Sequence, residues 1–410
     1  MAKSGAASIT VSWHGSISEI DREQWDALAL PLAVPILEWE WLRLLEVSGS
    51  ISRRTGWQPA HLAIRSGPEL VAAAALYLKS HSAGEFVFDG PWAEAAQGLG
   101  APYYPKLVGM SPVTPVAGYR FLIAQGRDEA SLTARMVEEI DRLCRRLGLG
   151  GSSFLFAAPE WKALPEALGY VSWTHQGFAW LNPGLGSFAD YLALFDKNQR
   201  RNIRRERAKM ESQGITVRVY LGEEVPRSYF SLMYTLYARH NARFGPWGAK
   251  YLNRAFFEAL ADSYRHRLLF VAAYREAEGE GFAPARVPTG QGRFPEKPPL
   301  AMAFLLTKGD QLYGRYWGSS EPVDSLHFNA CFYSPIEWSI AHGIRRFDPG
   351  IGAEHKLRRG FRAVPFYSLH RFNDRRLQGL LEAAIGEING LEQEQIEALN
   401  RALPLAVKIG

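Results

Sequence analysis

One order of elements can be read twice along this chain, and that repetition limits the fold more than any single motif does. Residues 8–17, with the run ITVSWHGSI, alternate as a strand does, and Asp21 stands where it can cap a helix through REQWDALAL. Residues 37–45 carry apolar side chains at helical spacing. HLAIRS and LVAAAALYLKS, joined at Gly67-Pro68, predict a hairpin, and EFVFDG at 85–90 predicts a third strand. A Pro/Gly-rich loop is expected over 91–118, followed by an amphipathic helix at 129–148, a buried strand at 152–159, a short helix at 160–169 and an aromatic strand at 170–182. The order then starts again. A helix over 188–210 leads to ITVRVYLG at 215–222, which resembles ITVSWHG, and helices follow at 228–239 and 251–264. A meander of 267–275, 300–309 and 312–318 comes next, then a helix at 326–343 and a strand at 345–350. The Gly/Pro-rich charged stretch 276–299 reads as a mobile insert between two strands. Strand, helices, meander, helix, strand in duplicate predicts two tandem α/β domains. Their expected limits are 1–185 and 186–373, with a C-terminal helical tail at 374–410.

A length of 410 residues agrees with two domains, because single cores stop growing near ~250–300 residues. The two cysteines, Cys144 and Cys331, show no paired spacing, so neither a disulfide framework nor a zinc site is expected. The start of the chain lacks an apolar leader core, and the run from Leu70 to Leu78 is far short of the ~20 residues that span a bilayer. Cytoplasmic residence is therefore expected, with no transmembrane segment and with peripheral contact at the inner face of the membrane left open. The net charge of +5 is concentrated: KNQRRNIRRERAK at 197–209 sets seven basic residues against Glu206 alone. Lys197, Arg201, Arg204 and Arg205 fall on one helical face, which suits a polyanionic partner such as tRNA, coenzyme A phosphates or anionic headgroups, or else is a solvated face.

Proton-moving and anion-holding groups crowd into residues 312–372. Glu354 and His355 follow Pro349, Gly350 and Gly352, where a tight backbone approach is available. If a short helix starts there, its amides and Lys356 form an anion site and either residue can act as base; alternatively, Glu354 caps the helix and pairs with Arg358. Arg358 and Arg359 are further cations for substrate. By simple alternation Tyr313, Arg315 and Trp317 share one face of a strand and Tyr316 takes the other. Arg315 then binds an anionic substrate group or pairs with Asp348 or Glu337. His327 is either a catalytic group or an ordinary core histidine. In the first domain Asp89, Tyr103, Tyr104 and Lys106 line an acceptor cleft, or Asp89 simply makes a turn before Gly90. RRLGLGG at 145–151 matches a pyrophosphate-loop pattern but ends a helix, so Gly148 reads as a cap.

Several blocks together resemble the FemAB-like N-acyltransferase family: LYGRYWG, the LHF…CFY segment, PGIGAEHK and RGF in the second half, and FDGPWAEAAQGLGAPYYPKL in the first. The resemblance implies two tandem GNAT-like domains, each a mixed, largely antiparallel sheet flanked by helices. It also implies acyl or aminoacyl transfer from an activated ester or thioester to a primary amine, with aminoacyl-tRNA or acyl-CoA as co-substrate and no tightly bound cofactor or metal. The acceptor it implies is a cell-wall precursor; a lipid amine, or a non-catalytic precursor-binding role, is the alternative. Asn329 stands where the family pattern carries an acid, which implies a changed substrate.

Overall fold

The computed structural model describes residues 8–275, 297–352 and 354–406. Most of the stretch read as an insert, 276–296, lies outside the described residues. The chain forms two compact units, Met1–His175 with Pro365–Gln393, and Gln176–Val364 with Glu394–Gly410.

In the first unit β1 (Ile9–His14) leads to helices α1 (Arg22–Ala29) and α2 (Trp39–Val47). Asp21 caps α1 by accepting the Gln24 amide at 2.9 Å, and Trp25 is pinned to the Leu37 carbonyl at 2.8 Å. Of strands β2 (Trp57–Pro59), β3 (His61–Ser66), β4 (Glu69–Ala74) and β5 (Leu76–Lys79), β3 and β4 make the expected hairpin, turning at Gly67 with φ 60°, while β2 and β5 pair with each other in a second sheet. No strand forms at 85–90: Phe86 sits at φ 58°, which breaks the extended chain, and Glu85 and Asp89 are turned inward. The expected loop after it instead holds α3 (Gly90–Gly98) and β6 (Lys106–Gly109). After β7 (Leu122–Ile123), the helix α4 (Glu129–Leu147) is capped by Asp128 and ends at Gly148, φ 61°, so RRLGLGG closes a helix. β8 (Gly151–Ala157) runs parallel to β6 and antiparallel to the late strand Arg362–Phe372. The short α5 (Ala163–Glu166) precedes β9 (Val171–Leu181), whose last residues belong to the second unit.

In the second unit the expected helix over 188–210 is two: α6 (Phe188–Ala193) and α7 (Lys197–Glu211). Asp196 ends the run by capping α7, accepting the Gln199 amide at 2.8 Å. β10 (Ile215–Leu221), α8 (Arg227–Ala242) and α9 (Arg254–Ser263) lead into β11 (Leu268–Arg275), β12 (Ala301–Lys308) and β13 (Gln311–Ser319), an antiparallel ladder. Aromatic rings of α8 and α9 pack one face through Phe230–Phe270 and Phe257–Phe304. The other face buries Val217, Val271, Ala303 and Leu305 in one cluster with Ile203 and Trp338. The expected helix 326–343 is α10 (Leu326–Phe328), one π turn over Asn329–Tyr333, and α11 (Ser334–Ala341). β14 (Arg346–Asp348), a 3-10 turn at Glu354–Arg359, β15 (Arg362–Phe372) and α12 (Arg375–Arg401) complete the chain.

Candidate functional site

The second unit's sheet forks. β13 and β14 run parallel for three pairs, ending at Tyr313–Asp348. Pro349 has no N–H to extend the ladder, and Gly350 turns the chain away at φ 81°. From Gly314 to Ser319, no strand among the described residues pairs with that edge of β13. Its peptide groups can therefore receive an extended ligand or an oxyanion.

A bulge sits at the fork. Phe304 opposes Tyr316 and Leu305 opposes Gly314, so Arg315 is the extra residue on β13. This corrects the alternation expected from sequence. Tyr316 opposes Phe304 and Tyr313 opposes Leu306, two positions along β12, so both tyrosines share a face, whereas Trp317 lies on the opposite one. Tyr316 is embedded among Tyr237, Phe257 and Phe304 at ring distances of 5.1, 5.9 and 5.6 Å.

Half-buried Arg315 and buried Asp348 and Lys356 form a charged group around Gly350. The Gly350 amide donates to Asp348 Oδ1 at 2.8 Å, and Lys356 Nζ donates to the Gly350 carbonyl at 2.6 Å. Burial raises the Asp348 carboxyl and lowers the Arg315 guanidinium, each partly offset by the other's charge. Burial brings Lys356 down to about 8, against the pull of Asp348. The other partner expected for Arg315 is engaged elsewhere: Glu337 binds Arg207 at 2.9 Å.

Beside the fork lie two imidazoles. His327 is 5.5 Å from the Trp317 ring, 5.4 Å from Phe332 and 6.1 Å from His355. Burial lowers it to about 3, and the like charge of His355 and His240 adds to that. His355, between Phe328 and Phe332, is also lowered by burial, and its buried Nε2 has no hydrogen-bond partner. Both rings are neutral near pH 7, and in the tautomer that carries its proton on Nδ1 His355 offers Nε2 to accept one. Glu354 is exposed. The turn carrying it is 3-10, in which residues three apart align, and no Glu354–Arg358 ion pair occurs among the described residues. Arg358 is exposed, and its carbonyl accepts from Gln199 Nε2 at 2.6 Å.

Arg359 is held internally. Its Nη2 contacts both Glu206 oxygens at 2.8 and 3.0 Å, its Nη1 donates to the His355 carbonyl at 2.8 Å, and it lies 3.5 Å from the Phe328 ring centre. Tyr333 also donates to Glu206. On α7 the polar residues separate by role: Arg207 pairs with Glu337 and Lys209 with Asp324. Lys197, Arg201, Arg204 and Arg205 are exposed and make no ion pair among the described residues.

The first unit has its own polar cluster. Asp89 accepts from Tyr103 at 2.7 Å, Tyr104 at 3.4 Å and Lys106, and Lys106 also lies 2.8 Å from Glu85. Asp89 makes no capping bond to α3. Asp89, Lys106 and Glu85 are all buried, and the four expected residues meet in one hydrogen-bonded and ion-paired network. A chain of hydrogen bonds runs Ser153–His370–Ser368–His175 at 3.0, 2.7 and 2.6 Å. Sequence reasoning missed these histidines, along with His240 and the role of Glu206. The lone acid in a basic run was the available signal for Glu206; the histidines come from segments far apart in the chain and left none.

A family model for FemAB-like proteins, described as peptidoglycan biosynthesis/recognition, matches residues 16–286 and 292–407. No curated protein matches the chain. Among solved structures, FemX aligns at 12% identity and a TM-score of 0.51 over 88% of this chain and 98% of that one. The C-terminal domain of an Agrobacterium fabrum protein described as a lysylphosphatidylglycerol synthetase aligns at 11% and 0.50, over 90% and 97%. A tandem GNAT protein from the clavulanic acid pathway aligns at 12% and 0.45, over 89% and 98%. The first two of these likenesses show the fold alone: a mixed α/β architecture in two units, shared with FemX and the Agrobacterium fabrum domain. With the family model spanning nearly its whole length, the chain belongs to the FemAB-like family.

Proposed function

We propose that this protein transfers an acyl or aminoacyl group from a polyanionic activated donor to a primary amine, with the forked edge of β13 as the reaction site. The observation that carries the reading is the fork itself, with the neutral, unpartnered His355 Nε2 beside it. The amine attacks the carbonyl carbon, and the oxyanion is met by β13 amides. The amine's surplus proton passes to His355 Nε2 and from there to the leaving oxygen or sulfur, so the ring ends as it began. Lys356 and Arg315 hold Asp348 and the Gly350 turn, which keeps the fork open. Lys197, Arg201, Arg204 and Arg205 contact donor phosphates. The family description supports a cell-envelope precursor as acceptor, and the resemblance to FemAB-like proteins implies aminoacyl-tRNA as donor.

The test offers charged tRNA, acetyl-CoA and a long-chain acyl-CoA in parallel, with a soluble peptidoglycan peptide or a lipid amine as acceptor, and reads product mass. A product from one donor, reduced about a hundredfold or more in His355→Ala without loss of fold, is the expected result. An unchanged rate in His355→Ala removes that residue as base. Tight precursor binding with no product from any donor overturns the enzyme reading in favour of a binding module.

A further inference from the structure

We infer that the turn after α8 is a membrane-docking surface for anionic lipid, an inference independent of the transfer chemistry. Two aromatic side chains stand out of the protein there: Trp247 is 92% exposed and Phe244 is 54% exposed. The other strongly exposed aromatic among the described residues, Phe88, has a different setting, because the sequence from 80 to 105 around it contains no Lys or Arg. Around Phe244 and Trp247 the sign of charge is uniform. From Val225 to Phe257 the sequence contains no Asp or Glu; of its cations Arg227 pairs with Asp262 and Arg254 with Glu258, whereas Arg239, Arg243 and Lys250 make no ion pair among the described residues, and His240 lies beside them. Arg239, Arg243 and Lys250 are all exposed, and Arg239 and Arg243 lie one helical turn apart at the end of α8.

The backbone of this turn is built to hold that display. Tyr237 Oη donates to the Ala249 carbonyl at 2.8 Å and accepts the Tyr251 and Leu252 amides at 3.0 and 3.3 Å. Gly248 passes so close to the end of α8 that a Cβ there would lie 2.3 Å from the Asn241 carbonyl oxygen. The Trp247 amide donates to the Phe244 carbonyl at 3.1 Å, closing the turn that carries both rings outward. An aromatic pair raised on a fixed turn, with Arg239, Arg243 and Lys250 exposed nearby in the chain and without an ion pair among the described residues, is complementary to one partner chemistry in particular. That partner is a bilayer interface, where an indole sits at headgroup depth and arginine and lysine meet lipid phosphates. A protein groove would also accept the rings, but it gives no reason for 33 residues without an acid.

The experiment is vesicle flotation of the full-length chain, with phosphatidylcholine vesicles containing or lacking phosphatidylglycerol, at low and high salt. The protein should float only with the anionic vesicles. The Phe244→Ser/Trp247→Ser variant should lose about tenfold or more in partition. Arg239→Gln, Arg243→Gln and Lys250→Gln should each lose on the order of fivefold at low salt. Because α7 also carries cations, Arg201→Gln/Arg204→Gln is run beside them and should retain most of the binding. A second reading is independent of variant stability: brominated phosphatidylglycerol vesicles should quench part of the wild-type tryptophan emission, and Trp247→Phe should abolish that part. No flotation, flotation indifferent to the aromatic pair, or loss caused by the α7 variant alone would each overturn the assignment.

Discussion

Glu206 determines whether the basic stretch and the candidate site share one structure. It is the partner of the buried Arg359 guanidinium and also accepts from Tyr333, so removing it leaves a cation inside the second unit with the His355 carbonyl and the Phe328 ring but no counter-charge. Glu206→Ala should therefore cost about 3 kcal/mol, the lower end for a broken buried pair because Glu206 is itself partly exposed. By contrast Arg204→Ala should stay within about 0.5 kcal/mol. Equal urea midpoints for the two variants would contradict the assignment. Histidines supply the second residue-scale expectation. Burial lowers His175 to about 4 and His327 to about 3, from an ordinary value of 6.5. Between those values the unfolded chain binds protons that the folded chain refuses. Stability is thus complete above pH 6.5 and is lost as pH falls through 4 and toward 3, at about 3 kcal/mol or more per ring over the full window. Urea titrations at pH 7 and 4.5 should show the loss, and His175→Gln should flatten it.

Among the elements, β13 is the one whose placement tolerates least change. Gly318 faces α8 so closely that a Cβ would lie 2.2 Å from the Leu236 backbone, where no flexible side chain can yield. Gly318→Ala should destabilise by about 3 kcal/mol or more, or shift the forked edge and lower the transfer rate; a melting temperature and rate both equal to wild type would refute the close approach. This strand also shows what the sequence could and could not reveal. Its existence, its neighbours in the meander and the helix caps at Asp21 and Gly148 were legible, because alternation and cap chemistry are local. The bulge at Arg315 was not, since an extra residue shows only against its partner strand, and it reversed the facing of Tyr313 relative to Trp317. EFVFDG read as a strand for a related reason. Its apolar content is real, but Phe86 adopts a positive φ and Glu85 and Asp89 turn in to meet Lys106, a residue some twenty positions on. The π turn at Asn329–Tyr333 likewise left no signal in a continuous helical pattern. The residues of 312–372 were singled out as a group, whereas their division into the Arg315–Asp348–Lys356 group, the Arg359–Glu206 pair and the neutral histidines depended on burial.

At the scale of the whole molecule, the modest charge of +5 conceals an uneven field, and that field makes the donor testable through salt. Four exposed cations on α7 lack ion-pair partners among the described residues, whereas Arg207 and Lys209 on the same helix are paired. If Lys197, Arg201, Arg204 and Arg205 each meet a phosphate, donor binding releases counterions in proportion, and the slope of log Kd against log salt has a magnitude of about 3 from these contacts. Replacing all four with Gln should remove most of that slope while leaving the melting temperature within a few degrees. A nucleic-acid donor, with many phosphates along one strand, can satisfy the whole face at once. A coenzyme A thioester carries only a cluster of phosphates at one end, so it should engage part of the face and give a shallower slope. Fluorescence titration of charged tRNA and of an acyl-CoA across a salt series, on wild type and on the four-residue variant, therefore separates the two donors by slope. A slope unaffected by the substitutions would move the polyanion contact off α7 altogether.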